Sequence, residues 1–76
     1  MDKIIKLAIT EAKKAEDKYQ RPFASEHEFY GVLMEEIDEL WDEIKKKEQD
    51  YDYKKMKKEA IQCIAVLLRF TKQIKT

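Results

Sequence analysis

The sequence predicts an all-α domain of three helices, and three observations carry that expectation. Gly and Pro occur once each in 76 residues, so the chain has few turn signals and long helices. Apolar residues recur at i, i+3 and i+4 in three separate stretches. Two polar breaks separate those stretches, one at Arg21-Pro22 and one at 48–52. A chain of this length makes one domain, residues 1–76. Below about 70–80 residues one core rarely supplies more than ~3–5 kcal/mol. Self-association is therefore expected.

The first helix is expected over residues 2–20. Ile4, Ile5, Ala8, Ile9, Ala12, Ala15 and Tyr19 form its apolar stripe, and Asp2 is the expected N-cap. Leu7 falls off the stripe and hints at a second buried face. Pro22 stops the helix and biases Arg21 toward extended backbone, and Phe23 is expected to pack back on the core.

Ser25-Glu26-His27-Glu28 matches a capping box and starts a second helix that runs to about residue 47. Phe29, Tyr30, Leu33, Met34, Ile37, Leu40, Trp41 and Ile44 share its broad apolar face. Gly31 costs roughly 0.5–1 kcal/mol relative to Ala inside a helix, which suggests close approach of a backbone or ligand. Lys45-Lys46-Lys47 suits the negative C-terminal end.

The third helix is expected over residues 53–75, capped by Asp50 or Asp52. Met56, Ala60, Cys63, Ile64, Leu67, Phe70, Thr71 and Ile74 give its stripe, which Ile61, Val66 and Leu68 widen past half of the circumference. A face that broad is covered on more than one side, which again points to a dimer or tetramer.

Composition excludes several functions. Lys+Arg and Asp+Glu number 16 each, so the zero formal charge gives no electrostatic reason to expect a nucleic-acid or membrane partner. No apolar run approaches the ~20 residues of a membrane span, and no signal-like apolar run follows Met1. Cys63 stands alone, which excludes an internal disulfide and fits a reducing, cytoplasmic setting. It reads as a small hydrophobe in a stripe.

Chemistry concentrates on three acids. Glu36 and Glu39 lie one turn apart on the second helix, and like charges that close repel unless something offsets them. Glu59 falls inside the apolar arc of the third helix, beside Cys63, Val66 and Phe70. A buried carboxylate needs a partner: a cation from another helix such as Lys13, a shared proton, or a metal ion. Antiparallel helices would bring Glu36, Glu39 and Glu59 together, and three carboxylates suit Mg²⁺, with Mn²⁺ as a substitute. Arg69, Lys55 and Lys58 stand where they could reach phosphate, although a charge run is usually only solvated. Glu35, Asp38 and Asp42 read as solvated, and His27 as a first-turn residue without chemistry.

Glu35-Glu36-x-x-Glu39, followed after a spacer by Glu59, resembles the EExxE…ExxD pattern of the MazG-like, all-α nucleoside triphosphate pyrophosphohydrolases. The flanks are similar too: Gly31-Val32-Leu33 leads in, Leu40-Trp41 leads out, and Arg69-Phe70 ends the later segment. The resemblance spans about residues 23–71. It implies an all-α helical module that dimerises into a four-helix-type bundle core, and Mg²⁺-dependent hydrolysis of a nucleoside or deoxynucleoside triphosphate to monophosphate and pyrophosphate. By position, Glu36, Glu39 and Glu59 match metal ligands. Gln62 stands where the pattern has Asp, and its amide carbonyl can ligate Mg²⁺ without charge. That departure, with the short chain, opens an alternative: a non-catalytic module of the same fold, kept for assembly or for binding a partner or nucleotide.

Overall fold

Local capping chemistry sets where each helix begins. In the computed structural model, which describes residues 1–75, α1 spans Asp2–Tyr19, α2 spans Glu26–Ile44 and α3 spans Tyr53–Gln73. Asp2 is the first helical residue rather than the cap; Met1 takes the N-cap position without a side-chain bond. As a first-turn acid, Asp2 still faces the positive end of the helix. Gln20 ends α1 in the left-handed conformation, with φ 53°, so the helix stops before Pro22 is reached.

Ser25 caps α2 as expected, its Oγ accepting from the Glu28 N–H at 3.1 Å. The reciprocal half of the box is displaced by one residue. Glu28 accepts from the N–H of Ala24, at 3.1 Å, and also holds Arg21 at 2.8 Å. The Arg21 guanidinium thereby keeps the Glu28 carboxyl below its usual range. Helix α2 ends at Ile44, three residues short of the expected 47, because a 3₁₀ turn over Glu48–Asp50 reverses the chain. The Tyr51 hydroxyl donates to the Ile44 carbonyl at 2.7 Å and satisfies one open helix-end acceptor. Asp52 caps α3, accepting from the Lys55 N–H at 3.1 Å.

The three helices form one layer with α3 in the middle. Helices α1 and α2 each pack on α3 and do not pack on each other. Glu11–Gln62 and Tyr19–Arg69 contacts run in step, so α1 is parallel to α3. Phe29–Phe70 and Glu43–Lys55 contacts run in opposite order, so α2 is antiparallel to it. The broad apolar face of α3 is thus met in part within one chain, by two flanking helices. Ala8 and Ala12 of α1 are buried, as are Ile61, Ala65 and Val66 of α3, and the small residues allow a close seam. Phe23 is buried as expected; its ring meets Phe29 and Phe70 edge-on, and those two stack with centroids 3.8 Å apart.

The stripe on α2 is oriented differently from the expectation. The side turned to α3 follows Phe29, Val32, Glu36, Leu40 and Glu43, whereas Tyr30, Ile37, Trp41 and Ile44 are exposed. Leu7 is exposed as well, so it marks no buried face within the chain. Gly31 has open space around it: a Cβ there meets nothing within 4 Å, so no backbone of this chain approaches it. No helix among the described residues is long and apolar enough to cross a membrane, and those residues include no strand.

Candidate metal centre

The antiparallel seam between α2 and α3 puts Glu39 level with Glu59. Glu36, one turn back, joins them. One carboxylate oxygen from each of Glu36, Glu39 and Glu59 lies within 4.8 Å of the others. These are the three acids singled out in the sequence, brought together by two helices joined through a short turn. Glu36 and Glu59 are half-buried, and Glu39 opens the cluster to solvent.

Packing three acids at an apolar seam is electrostatically costly. Burial, then the charges of Glu39, Glu59 and Glu35, push the Glu36 carboxyl up to about 7. Burial and the Glu39 carboxylate likewise raise Glu59, against the opposing pull of Lys58 and Lys55. The thiol of Cys63 beside them is pushed up by burial and by Glu36 and Glu59, so it rests as the neutral thiol. The Oε2 atom of Glu36 is buried without a hydrogen-bond partner among the described residues. No lysine of α1 forms an ion pair with Glu59 among the described residues, so the Lys13 pairing does not occur within the chain.

This donor set fits a small hard dication. Three oxygens converge, Glu36 carries a buried oxygen with no hydrogen-bond donor, and the local field favours positive charge. The remaining expected residues are placed as follows. Gln62 donates its amide to Glu11 Oε1 at 2.6 Å, which ties it to α1 rather than leaving it free beside the acids. Lys55 lies 3.5 Å from Glu43. Lys58 acts electrostatically on both Glu59 and Glu11. Arg69 stands over the rings of Phe23 and Tyr19, with its Cζ 4.5 and 5.6 Å from their centroids.

Because α1 and α2 do not meet, a groove opens between them over α3. Its volume is about 550 Å³, and Glu36 and Gln62 belong to its wall. Ala65, Val66 and Val32 give it an apolar floor, and Lys18 and Arg69 stand at the end nearer the α1–α2 linker.

Two polar residues that the helices cover were given no role by the sequence reading. Glu43 is buried on α2 and bonded to Lys46 at 2.8 Å, which holds its carboxyl below the usual range with help from Lys55. Its i, i+3 spacing to Lys46 was the available signal. Glu11 carried no signal, because its partner Gln62 lies 51 residues away. No protein-family model matches the chain, and no curated protein or solved structure matches it either. The acid cluster therefore stands on its own geometry.

Proposed function

We propose that the chain is a Mg²⁺-dependent nucleoside triphosphate pyrophosphohydrolase, cleaving between the α and β phosphates. The observation that carries this reading is the convergence of Glu36, Glu39 and Glu59 beside a groove large enough for a small anionic ligand. Mg²⁺ held there would neutralise phosphate charge and lower the pKa of a bound water. Glu36, with its unpartnered Oε2, and Glu59 would face the ion from the seam, and Glu39 would close it from the solvent side. In the overall reaction water adds to the α phosphorus and gives up its protons to solvent, the bond from that phosphorus to the bridging oxygen breaks, and pyrophosphate leaves with the electron pair. Release of pyrophosphate from a panel of NTPs and dNTPs with Mg²⁺ or Mn²⁺ tests it. Turnover no greater than that of Glu36→Ala would sink it.

The same reading includes a homodimer or tetramer. Tyr30, Ile37, Trp41 and Ile44 follow one another at steps of seven, four and three residues, so they share one side of α2. All four are exposed, with Trp41 at 55%, and Leu67 and Ile74 are exposed on α3. A stripe of that composition on a helix hairpin suits a second copy laid against it, giving a four-helix core.

A second reading is supported by the Gln62–Glu11 bond: a module of this shape that binds nucleotide or a partner without hydrolysing it. Gln62 brings no charge to the cluster and its amide is already engaged. Calorimetric titration with Mg²⁺ and nucleotide separates the two. Binding without turnover favours the module, and no binding leaves an assembly role.

A further inference from the structure

The groove between α1 and α2 contains four basic residues, and they are not equivalent. Lys14 is paired with Glu11 at 3.0 Å, and Arg21 with Glu28 at 2.8 Å. Lys18 and Arg69 form no ion pair among the described residues, although both line the same cavity. Lys18 approaches the ring of its neighbour Tyr19, at 5.3 Å.

Among the described residues, Arg69 is held in place without using its hydrogen-bonding edge. Its guanidinium rests over Phe23 and Tyr19, a contact made through charge and ring face. The N–H donors lie in the guanidinium plane and form a fork that matches phosphate oxygens. The platform beneath is itself fixed. Gln73 accepts from the Phe23 N–H at 2.8 Å and donates to the Phe23 carbonyl at 2.9 Å, clamping that residue to the end of α3. Such a donor is preorganised, so little ordering is required when an anion arrives.

The two ends of the groove differ in charge. Glu36 stands at one end, level with Gln62, and Arg69 is seven residues further along α3, roughly 10 Å at the helical rise. Glu36 joins the first end to the acid cluster, which suits a cation; two uncommitted cations suit an anion at the second. The floor between them is formed by small apolar side chains and leaves room for an elongated ligand.

We propose that Lys18 and Arg69 bind the β and γ phosphates of the triphosphate, so that the departing pyrophosphate lies in the α1–α2 groove and the nucleoside extends the other way from the acid cluster. The assignment rests on the pyrophosphohydrolase reading of Glu36, Glu39 and Glu59. It makes Phe23 and Gln73 positioning residues for Arg69. It also gives α1 a role in substrate binding through Lys18.

Titration calorimetry of the full chain with inorganic pyrophosphate, in the presence of Mg²⁺, tests the proposal without any need for turnover. The wild type is expected to bind. Lys18→Gln and Arg69→Gln are each expected to weaken binding roughly tenfold, the usual scale for one charge-assisted hydrogen bond. Arg69→Lys is expected to recover part of that loss, since it keeps the charge and loses the fork. Lys57→Gln, on an exposed position of α3 that does not line the groove, is expected to bind as the wild type does. Helical circular dichroism checks that each variant is folded, and Lys18, near the end of α1, can be replaced without disturbing the core. Absence of pyrophosphate binding by the wild type, or equal affinity across all variants, overturns the assignment. If triphosphates are hydrolysed in a Glu36-dependent way while Lys18→Gln and Arg69→Gln keep the wild-type KM, the groove assignment fails and the pyrophosphohydrolase reading stands. Pyrophosphate bound through Lys18 and Arg69 with no triphosphate turned over is the reverse: the groove is an anion site and the enzymatic reading fails.

Discussion

Replacing Glu36 with Gln should stabilise the metal-free protein, by an amount that grows as pH rises from about 4.5 to about 7. The Glu36 carboxyl titrates at about 7 in the folded chain, raised from 4.5 by burial and by three neighbouring acids. A shift of that size is a penalty of roughly 3 kcal/mol on the ionised form. Solvent reaching the cluster past Glu39 screens it, so about 1–2 kcal/mol is the realistic figure. The sign follows from proton binding. Between pH 4.5 and about 7 the folded state holds a proton that the unfolded chain has already lost, so stability falls as pH rises through that window. Above pH 7 the full penalty is present; below 4.5 both states are protonated and it vanishes. Glu36→Gln is close in shape and carries no charge, so it should match the wild type at pH 4 and exceed it at pH 8. For a chain of this size the gain corresponds to about 5–10 °C in melting temperature. Thermal melts by circular dichroism at the two pH values, with Mg²⁺ absent, measure it. Adding Mg²⁺ should stabilise the wild type by mass action and do much less for the variant. A Glu36→Gln protein that melts below the wild type at pH 8 without metal would refute the account of a strained acid cluster.

The other expectations are simpler. Ser25→Ala removes the side-chain acceptor for the Glu28 N–H and should cost about 1 kcal/mol in urea unfolding, with the slope m unchanged. Trp41→Lys places a charge in the exposed stripe of α2 and should convert an associated species to monomer in sedimentation velocity, with little loss of helix content. A wild-type chain that sediments as a monomer at micromolar concentration would contradict the assembly reading.

Much of this architecture was legible in the sequence because its signals are local. Single Gly and Pro residues, the Ser25 cap and the 3.6-residue periodicity depend on neighbours within one or two turns, and all three helices appear where those cues put them. The convergence of Glu36, Glu39 and Glu59 was legible for a related reason: an antiparallel hairpin brings acids on facing stripes to one level. Orientation about the helix axis was less legible. An apolar arc as broad as that of α2 does not say which half meets α3, and the structure gives that place to a line containing Glu36 and Glu43 while leaving Trp41 outside. Hydrophobicity marks what prefers to be covered, not which neighbour covers it. Contacts such as Glu11–Gln62 and Phe23–Gln73 join residues 50 or more positions apart and depend on the packing of α1 and of the α1–α2 linker on α3, for which a single sequence has no ruler.

Gln62 is where local pattern and tertiary packing meet. At that position the resembled motif has Asp, but an Asp here would face the Glu11 carboxylate, which now accepts the Gln62 amide at 2.6 Å. Lys14 and Gln62 together hold Glu11 below the usual carboxylate range, so Glu11 is charged and a second acid beside it would be repelled. The amide is therefore explained by α1, independently of whether the acid cluster needs a fourth anion. Gln62→Asp should destabilise the metal-free chain, and Glu11→Gln in the same protein should restore it by supplying a donor. The double-mutant cycle should give a favourable coupling of about 1 kcal/mol, since Glu11 is partly exposed. If the two substitutions add without coupling, Gln62 is not held by Glu11 in solution and becomes free to turn toward Glu36. In the coupled case the Glu11→Gln amide holds the introduced carboxylate toward α1, and Mg²⁺ binding by the Gln62→Asp/Glu11→Gln protein in calorimetry is expected to match that of the wild type.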